Sequence, residues 1–437
     1  MERTIEQRTM RKVYWRLLPF TGLLYLICYI DRVNVGFAAL TMRQDLGLTQ
    51  AAFGLGAGTA FFIGYFILEV PSNVALHKLG ARLWIARIMI SWGLISGATA
   101  FVVGEWSFYT VRLLLGLAEA GFFPGMILYF TYWFPPVHRG RIIAGFMTAI
   151  PISIALGAPI STSLLELNGV LGLAGWKWLY LLEAAPAVIL GIACLFFLTD
   201  RPANATWLAP DERDWLEGEL QRERREVEGV RAYSMWQSLY NPRVIALALI
   251  YFGIAAASVG LVMFLAQIVK ELGLSNFATG FAASIPYVVG TIGMIVCGYI
   301  TDRMRERRWN CFFACMLATI GLLLAGLTHG SWWSIAALSL ATIGFYGMKP
   351  SFWPMPSLFL TGTAAAAGIA WINALGNLAG TITPFIVGWI KDTTGSFAGG
   401  LYALAGFALL AAIVTLIGVP ERRRGQTVPA GLGTPAE

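Results

Sequence analysis

Residues 17–40 read LLPFTGLLYLICYIDRVNVGFAAL. About 20 mainly apolar residues suffice to cross a bilayer as a helix, and this run meets that length. Arg3, Arg8, Arg11, Lys12 and Arg16 precede it, as basic residues precede the apolar core of a secretory leader. A leader has a shorter apolar core and a small-residue cleavage site; this run has neither and further apolar runs follow it, so it reads as the first membrane helix. The run also contains Asp31-Arg32, an acid and a base side by side where ionised groups are costly.

Outward from that stretch, eleven more of the same kind follow. The twelve expected spans are 17–39, 52–76, 83–103, 106–134, 141–164, 176–198, 244–268, 278–301, 311–328, 332–358, 366–390 and 399–418. The ninth is short, and the tenth is interrupted by Pro350, Pro354 and Pro356; prolines are tolerated in a span when neighbouring helices satisfy the freed backbone groups. Composition agrees: 57% of the 437 residues are apolar and 13% charged, against roughly 25% charged in a soluble domain. The expected fold is an all-α membrane protein of twelve transmembrane helices in two six-helix bundles.

Lys and Arg in the connecting segments set the orientation. With both ends in the cytoplasm, 24 of the 31 basic residues fall on the cytoplasmic side and four (Arg43, Lys177, Lys270, Lys391) on the other. This bias accounts for the net +7 without nucleic acid. The long polar stretch 199–243 then separates a first bundle, 1–198, from a second, 244–418, and 419–437 forms a cytoplasmic tail. Within the stretch, Pro210-Asp211-Glu212 suits a helix start, and Trp215, Leu216 and Leu220 give that helix one apolar face. The halves echo each other: a basic turn follows span two (His77 to Arg82) and another follows span eight (Gly298 to Arg308). Duplicated bundles with a site near the midplane are a transporter architecture.

An ionisable group inside a span is a functional candidate by default. At about 1.5 Å per residue, Asp31 lies roughly 13 Å below the outer face, Arg112 about 9 Å and Glu119 about 20 Å. Seven residues is close to two helical turns, which puts Arg112 and Glu119 on one face of span four. A cavity between spans one and four then gathers two acids and two bases. Arginine offers a carboxylate a two-pronged fork, and a carboxyl out of water trades protonated and ionised forms with its surroundings. Static ion pairs, Asp31 with Arg32 and Arg112 with Glu119, are the plain alternative.

Elsewhere the signals are thinner. Glu69, near the cytoplasmic end of span two, fits a gate or a helix contact, and Asp302 and Arg303 after span eight are candidate gating residues. Glu183 in span six reads as a hydrogen-bonded helix contact, and Lys349 as a side chain snorkelling to the cytosol. Gln267, Asn373 and Asn377 either bind substrate hydroxyls or bridge helices; Tyr29 and Tyr65 line the cavity or anchor helices. Gly54 to Gly58 suits close helix packing. No phosphate-binding loop is present, and His77, His138 and His329 are scattered without metal-ligand spacing. Five cysteines in or beside apolar runs give no disulfide framework. Neither an enzyme, a metal site nor an organic cofactor is expected.

Several of these segments carry a resemblance: Tyr29-Ile30-Asp31-Arg32-Val33-Asn34-Val35-Gly36, Glu69-Val70-Pro71-Ser72-Asn73, Leu117-Ala118-Glu119-Ala120-Gly121-Phe122-Phe123-Pro124-Gly125, Tyr132-Trp133-Phe134-Pro135, Asp200-Arg201-Pro202 and Gly362-Thr363-Ala364-Ala365. In order and over nearly the whole chain, they resemble the anion:cation symporter branch of the major facilitator superfamily. The turn after span two departs from the superfamily's Gly-x-x-x-Asp-Arg form, and the turn after span eight keeps it. The resemblance implies a bacterial inner-membrane importer of organic acids such as tartrate, phthalate or aldonates, with protons as the coupling ion. It implies that Asp31 and Glu119 carry protons, that Arg112 couples to the acid below it, and that Arg32 lies by the site. Gln267, Ser351, Trp353, Asn373 and Asn377 are the expected substrate contacts of the second half. A monomer suffices for alternating access. An exchanger or drug exporter on the same fold, and a sensor that binds without flux, are the competing readings.

Overall fold

The computed structural model describes residues 4–228, 241–304, 307–356 and 362–419. Among them no strand occurs, and helices follow one another with short turns. Ten are long and apolar enough to cross a membrane: Ile5–Asp45, Gln50–Leu79, Ala81–Phe101, Glu105–Thr131, Pro136–Leu165, Gly175–Phe197, Pro242–Lys270, Asn276–Thr301, Arg308–Leu327 and Ala398–Gly418. They correspond to the expected spans one to nine and twelve. Span ten is Trp333–Gly347, broken at Met348 and continued as Lys349–Phe352, as its prolines foretold. Span eleven is Gly362–Thr394, and it packs on spans seven, two and twelve.

Spans one to six and seven to twelve form the two bundles. Span three packs along span six and span nine along span twelve, while spans one and seven meet at the centre. Spans two with eleven and five with eight join the halves. Those seams use small residues for close backbone approach. An added Cβ at Gly54 would lie 2.2 Å from the Pro384 carbonyl oxygen, and one at Gly280 would lie 2.6 Å from that of Ala158. Thr59 Oγ1 donates to the Thr381 carbonyl at 2.5 Å, and Asp392 accepts from the backbone N–H groups of Gln50 and Ala51 at 3.0 and 2.7 Å. All of these contacts gather at the end of the spans away from the N-terminus.

At the N-terminal end the segment between the bundles is tied to the first one. Its helix, Pro210–Glu228, buries Leu216 and Leu220 as its apolar face. Glu212 accepts from Lys12 at 2.8 Å and pairs with Arg8 Nε at 2.9 Å; Arg139 forks onto Glu223 at 2.5 and 2.6 Å. Asp200 accepts from Arg82 N at 2.8 Å, capping span three beside the turn at Gly80, and Arg201 stacks over Tyr132 at 3.6 Å.

Candidate functional site

Two helix irregularities build the site. Span four stops being helical after Glu119: Ala120 is extended and Gly121 takes the left-handed φ of 85°, before the helix resumes at Phe122. A Cβ at Gly121 would sit 2.3 Å from Ser72 Oγ, so glycine serves both the turn and the contact. Span two contains a π-helical turn, Leu55–Ala60. Such a turn leaves a carbonyl free of the helical ladder, and Arg112 Nη2 donates to the Ala57 carbonyl at 2.9 Å.

The four charges therefore sort differently from expectation. Glu119, 1% exposed at the break, pairs with Arg32 and accepts from Cys28 Sγ at 3.3 Å. Arg112, expected to couple to Glu119 and sharing its helix, spends its hydrogen bond on span two instead. Asp31 does not pair with Arg32. One residue along a helix is 100°, which turns Asp31 to the far side of span one. There it accepts from Trp92 Nε1 and Ser96 Oγ of span three, and from Asn34 Nδ2 at 3.1 Å.

Arg32 looks into a ring of aromatic faces: Tyr29 at 5.1 Å, Tyr65 at 5.4 Å and Phe61 at 5.6 Å from the guanidinium carbon. Phe61 also lies 4.8 Å from Arg112, so one ring separates the two cations. Each such contact is worth about 0.5–2 kcal/mol and leaves the guanidinium edge open. Glu69 is buried on this side, close enough to feel the charge of Arg32. The second half contributes Tyr251, which stands within electrostatic range of Tyr29, Arg32 and Glu69. Its ring stacks on Phe352 at 5.6 Å and meets Trp353 at 5.0 Å. Trp353 Nε1 is a buried donor without a partner among the described residues. The Tyr251 ring also lies flat against Gly376, where a Cβ would come within 2.1 Å; Asn373 and Asn377 flank that contact one turn and one residue away.

Other expected contacts fall elsewhere. Ser351 is fully buried and shares a 2.8 Å hydrogen bond with Thr301, so its hydroxyl is already used. Gln267 lies about a turn beyond the crossing of spans one and seven, where a Cβ at Gly36 would touch the Met263 and Val262 carbonyls at 3.0 and 3.2 Å. Arg32 lies about a turn on the other side, some 12 Å away along the axis. Arg303 reaches Tyr299 at 3.4 Å, and the Asp302 side chain is outside the described residues. Lys349 sits 4.7 Å from the Tyr346 ring, inside the bundle. Phe61, Tyr251 and Cys28 escaped sequence reasoning because an aromatic or a cysteine in an apolar run carries no mark of facing a cavity.

The family description "Major Facilitator Superfamily" matches residues 21–384. The chain belongs to the major facilitator superfamily. Two superfamily relatives bear on its chemistry. A protein of Agrobacterium vitis named "Putative tartrate transporter" is 52% identical over 95% of this chain and 96% of its own. A "Quinolone resistance transporter" of Acinetobacter baumannii is 41% identical over 97% and 98%. Among solved superfamily folds, a bacterial homologue of the human lysosomal transporter Spinster, crystallised inward-facing and unoccupied, superposes with a TM-score of 0.74. It is 15% identical, covering 96% of this chain and 98% of that one. The protein is a multi-pass membrane transporter and not an enzyme.

Proposed function

We propose that this protein imports an organic hydroxycarboxylate, tartrate or a related acid, together with protons by alternating access across a bacterial inner membrane. The observation that carries the reading is the buried Arg32–Glu119 pair at the break of span four. Without substrate, each charge answers the other. A substrate carboxylate that takes the Arg32 fork leaves the buried Glu119 without a countercharge. A lone buried carboxylate costs several kcal/mol, so Glu119 then takes a proton. Anion and proton are loaded together and released together, which is symport.

In this reading Glu119 is the coupling carboxyl, with Asp31 behind it as a second proton carrier, and Tyr29, Tyr65 and Tyr251 form the walls. Trp353 Nε1, Asn373 and Asn377 offer neutral hydrogen bonds to hydroxyls or to a second carboxylate. Both termini face the cytosol, where the basic segments gather. The seams are closed at the opposite end, so the arrangement is inward-facing. One copy holds both halves of the site, and the proton is its only cofactor.

The 41% identity to a quinolone resistance transporter favours a second reading, export of an aromatic acid through the same aromatic walls. Uptake into proteoliposomes under an imposed inward proton gradient separates the two. Labelled tartrate, phthalate and galactonate are offered to the parent and to Glu119→Gln. Symport gives accumulation of at least one acid above equilibrium in the parent, lost in the variant. Accumulation that needs a counter-substrate inside, or that appears only with the gradient reversed, rejects symport in favour of exchange or export.

A further inference from the structure

Behind span one, on the side away from Arg32, lies a second buried polar cluster that the transport reading leaves largely unused. Glu183 of span six is 6% exposed and accepts from Ser161 Oγ of span five at 2.6 Å. Its other oxygen, Oε2, is buried without a partner among the described residues. Asn34 of span one is fully buried, within hydrogen-bonding reach of Glu183, and donates through Nδ2 to Asp31. Its Oδ1 is likewise buried without a partner among those residues.

Both unpartnered atoms are acceptors, so no rotation can pair one with the other. Buried polar groups in folded proteins are satisfied, and a proton on Glu183 would satisfy both of these at once. Among the described residues no cation answers Glu183 directly. Asp31 faces it from span one, Ser161 from span five, and Tyr180 stands one turn away on its own helix. Trp92 and Ser96 of span three are turned to Asp31. Arg112 of span four reaches the cluster only in the fields of Tyr180 and Asp31 while its hydrogen bond goes to Ala57. Two ionised carboxylates bridged by one amide would be like charges close together in a buried site. Spans three and six are locked together here, with a Cβ at Gly93 3.1 Å from that of Ala187, so the cluster has no room to open.

We propose that Glu183 is a proton-binding site that shares a single proton with Asp31 through the Asn34 amide. In the arrangement described, Glu183 Oε2–H donates to Asn34 Oδ1 while Asn34 Nδ2–H donates to ionised Asp31. The second state has the same proton on Asp31 and the amide turned over: Asp31 donates to Oδ1 and Nδ2–H donates to ionised Glu183. Both states hold one proton and one negative charge and pair both acceptors. The net coupling proton belongs to Glu119.

The test is infrared spectroscopy of the purified full-length transporter in H2O and D2O at neutral pH. The parent shows a protonated-carboxyl C=O band that shifts on deuteration, and Glu183→Gln removes a component of it. Asn34→Leu keeps both carboxyls and removes the acceptor, so the same component stays and moves to higher frequency; this variant carries the test should Glu183→Gln not purify as a single species. A band unchanged in either variant overturns the proposal. Glu183→Gln should also retain gradient-driven uptake with its pH profile displaced. The infrared result stands or falls without flux, so failure of proton-coupled uptake in the parent would reject the proposed function and leave this assignment to the spectrum.

Discussion

The two halves share an architecture and divide the chemistry. The first half holds Asp31, Arg32, Glu69, Arg112, Glu119 and Glu183 in the interior of its spans, each buried or nearly so. The second half approaches the same site with Tyr251 and Trp353, aromatic groups packed on each other and on Gly376, and with Asn373 and Asn377 on the helix that carries Gly376. A charge in the bundle interior changes its energy when a proton or a substrate arrives; a neutral donor does not. On the proposed function, coupling falls to the first half and selectivity among acids to the second.

The largest effects should come from breaking the charged side. Removing one partner of a buried pair costs about 3–5 kcal/mol, more than a hundredfold in affinity. Arg32→Lys, which keeps the charge but loses the planar fork, should reduce substrate affinity nearly as far as Arg32→Gln, measured by binding to the purified protein. Glu119→Gln should still exchange substrate across the membrane while losing all response to the proton gradient. A gradient response that survives Glu119→Gln would remove the division between the halves.

The next effect concerns the seam that joins them. Gly54→Ala forces a Cβ onto the Pro384 carbonyl, and overpacking of this kind costs about 1–3 kcal/mol. The closed end should loosen, raising the labelling rate of a cysteine placed at Thr381 by an impermeant maleimide about five- to a hundredfold. Substrate contacts are untouched, so affinity measured with the outer end open should be unchanged.

On the neutral side the expected change is smaller. Trp353→Phe keeps the ring against Tyr251 and deletes the free N–H. One hydrogen bond to substrate is worth about 1 kcal/mol, so KM should rise about fivefold while the proton-gradient response persists. Loss of the gradient response here would place coupling in both halves.

Most of the frame was legible in the chain because hydropathy and basic loops report on lipid and orientation directly. The charged residues stood out for the same reason. What stayed hidden was pairing. Adjacent residues 31 and 32 diverge by a helical step, so the acid and base that look like partners in sequence serve opposite sides of span one. The break at Ala120-Gly121 and the π turn at Leu55–Ala60 decide that Arg32, not Arg112, meets Glu119; neither leaves a periodic trace.

The smallest effect tests whether the helix Pro210–Glu228 belongs to the first half alone. Glu212 is fully buried between Arg8 and Lys12, which are half-exposed. Burial alone would raise its carboxyl pKa; the hydrogen bonds from Lys12 and the Ala209 N–H, with the charges of Lys12 and Arg8, outweigh it and hold the pKa below the usual glutamate range. A carboxylate whose folded pKa is lowered adds stability that is complete above its unfolded value, about 4.3, and is lost as pH falls through the lower folded value. The contact should thus be intact at neutral pH and loosen only in acid, whereas Glu212→Gln should loosen it at neutral pH. Solvent screening of the exposed partners limits the change to about two- to fivefold in amide exchange of residues 210–228. Exchange in span ten should not move. If it does, the helix bridges both halves, and the charged and neutral sides of the cavity are linked through the segment that joins them.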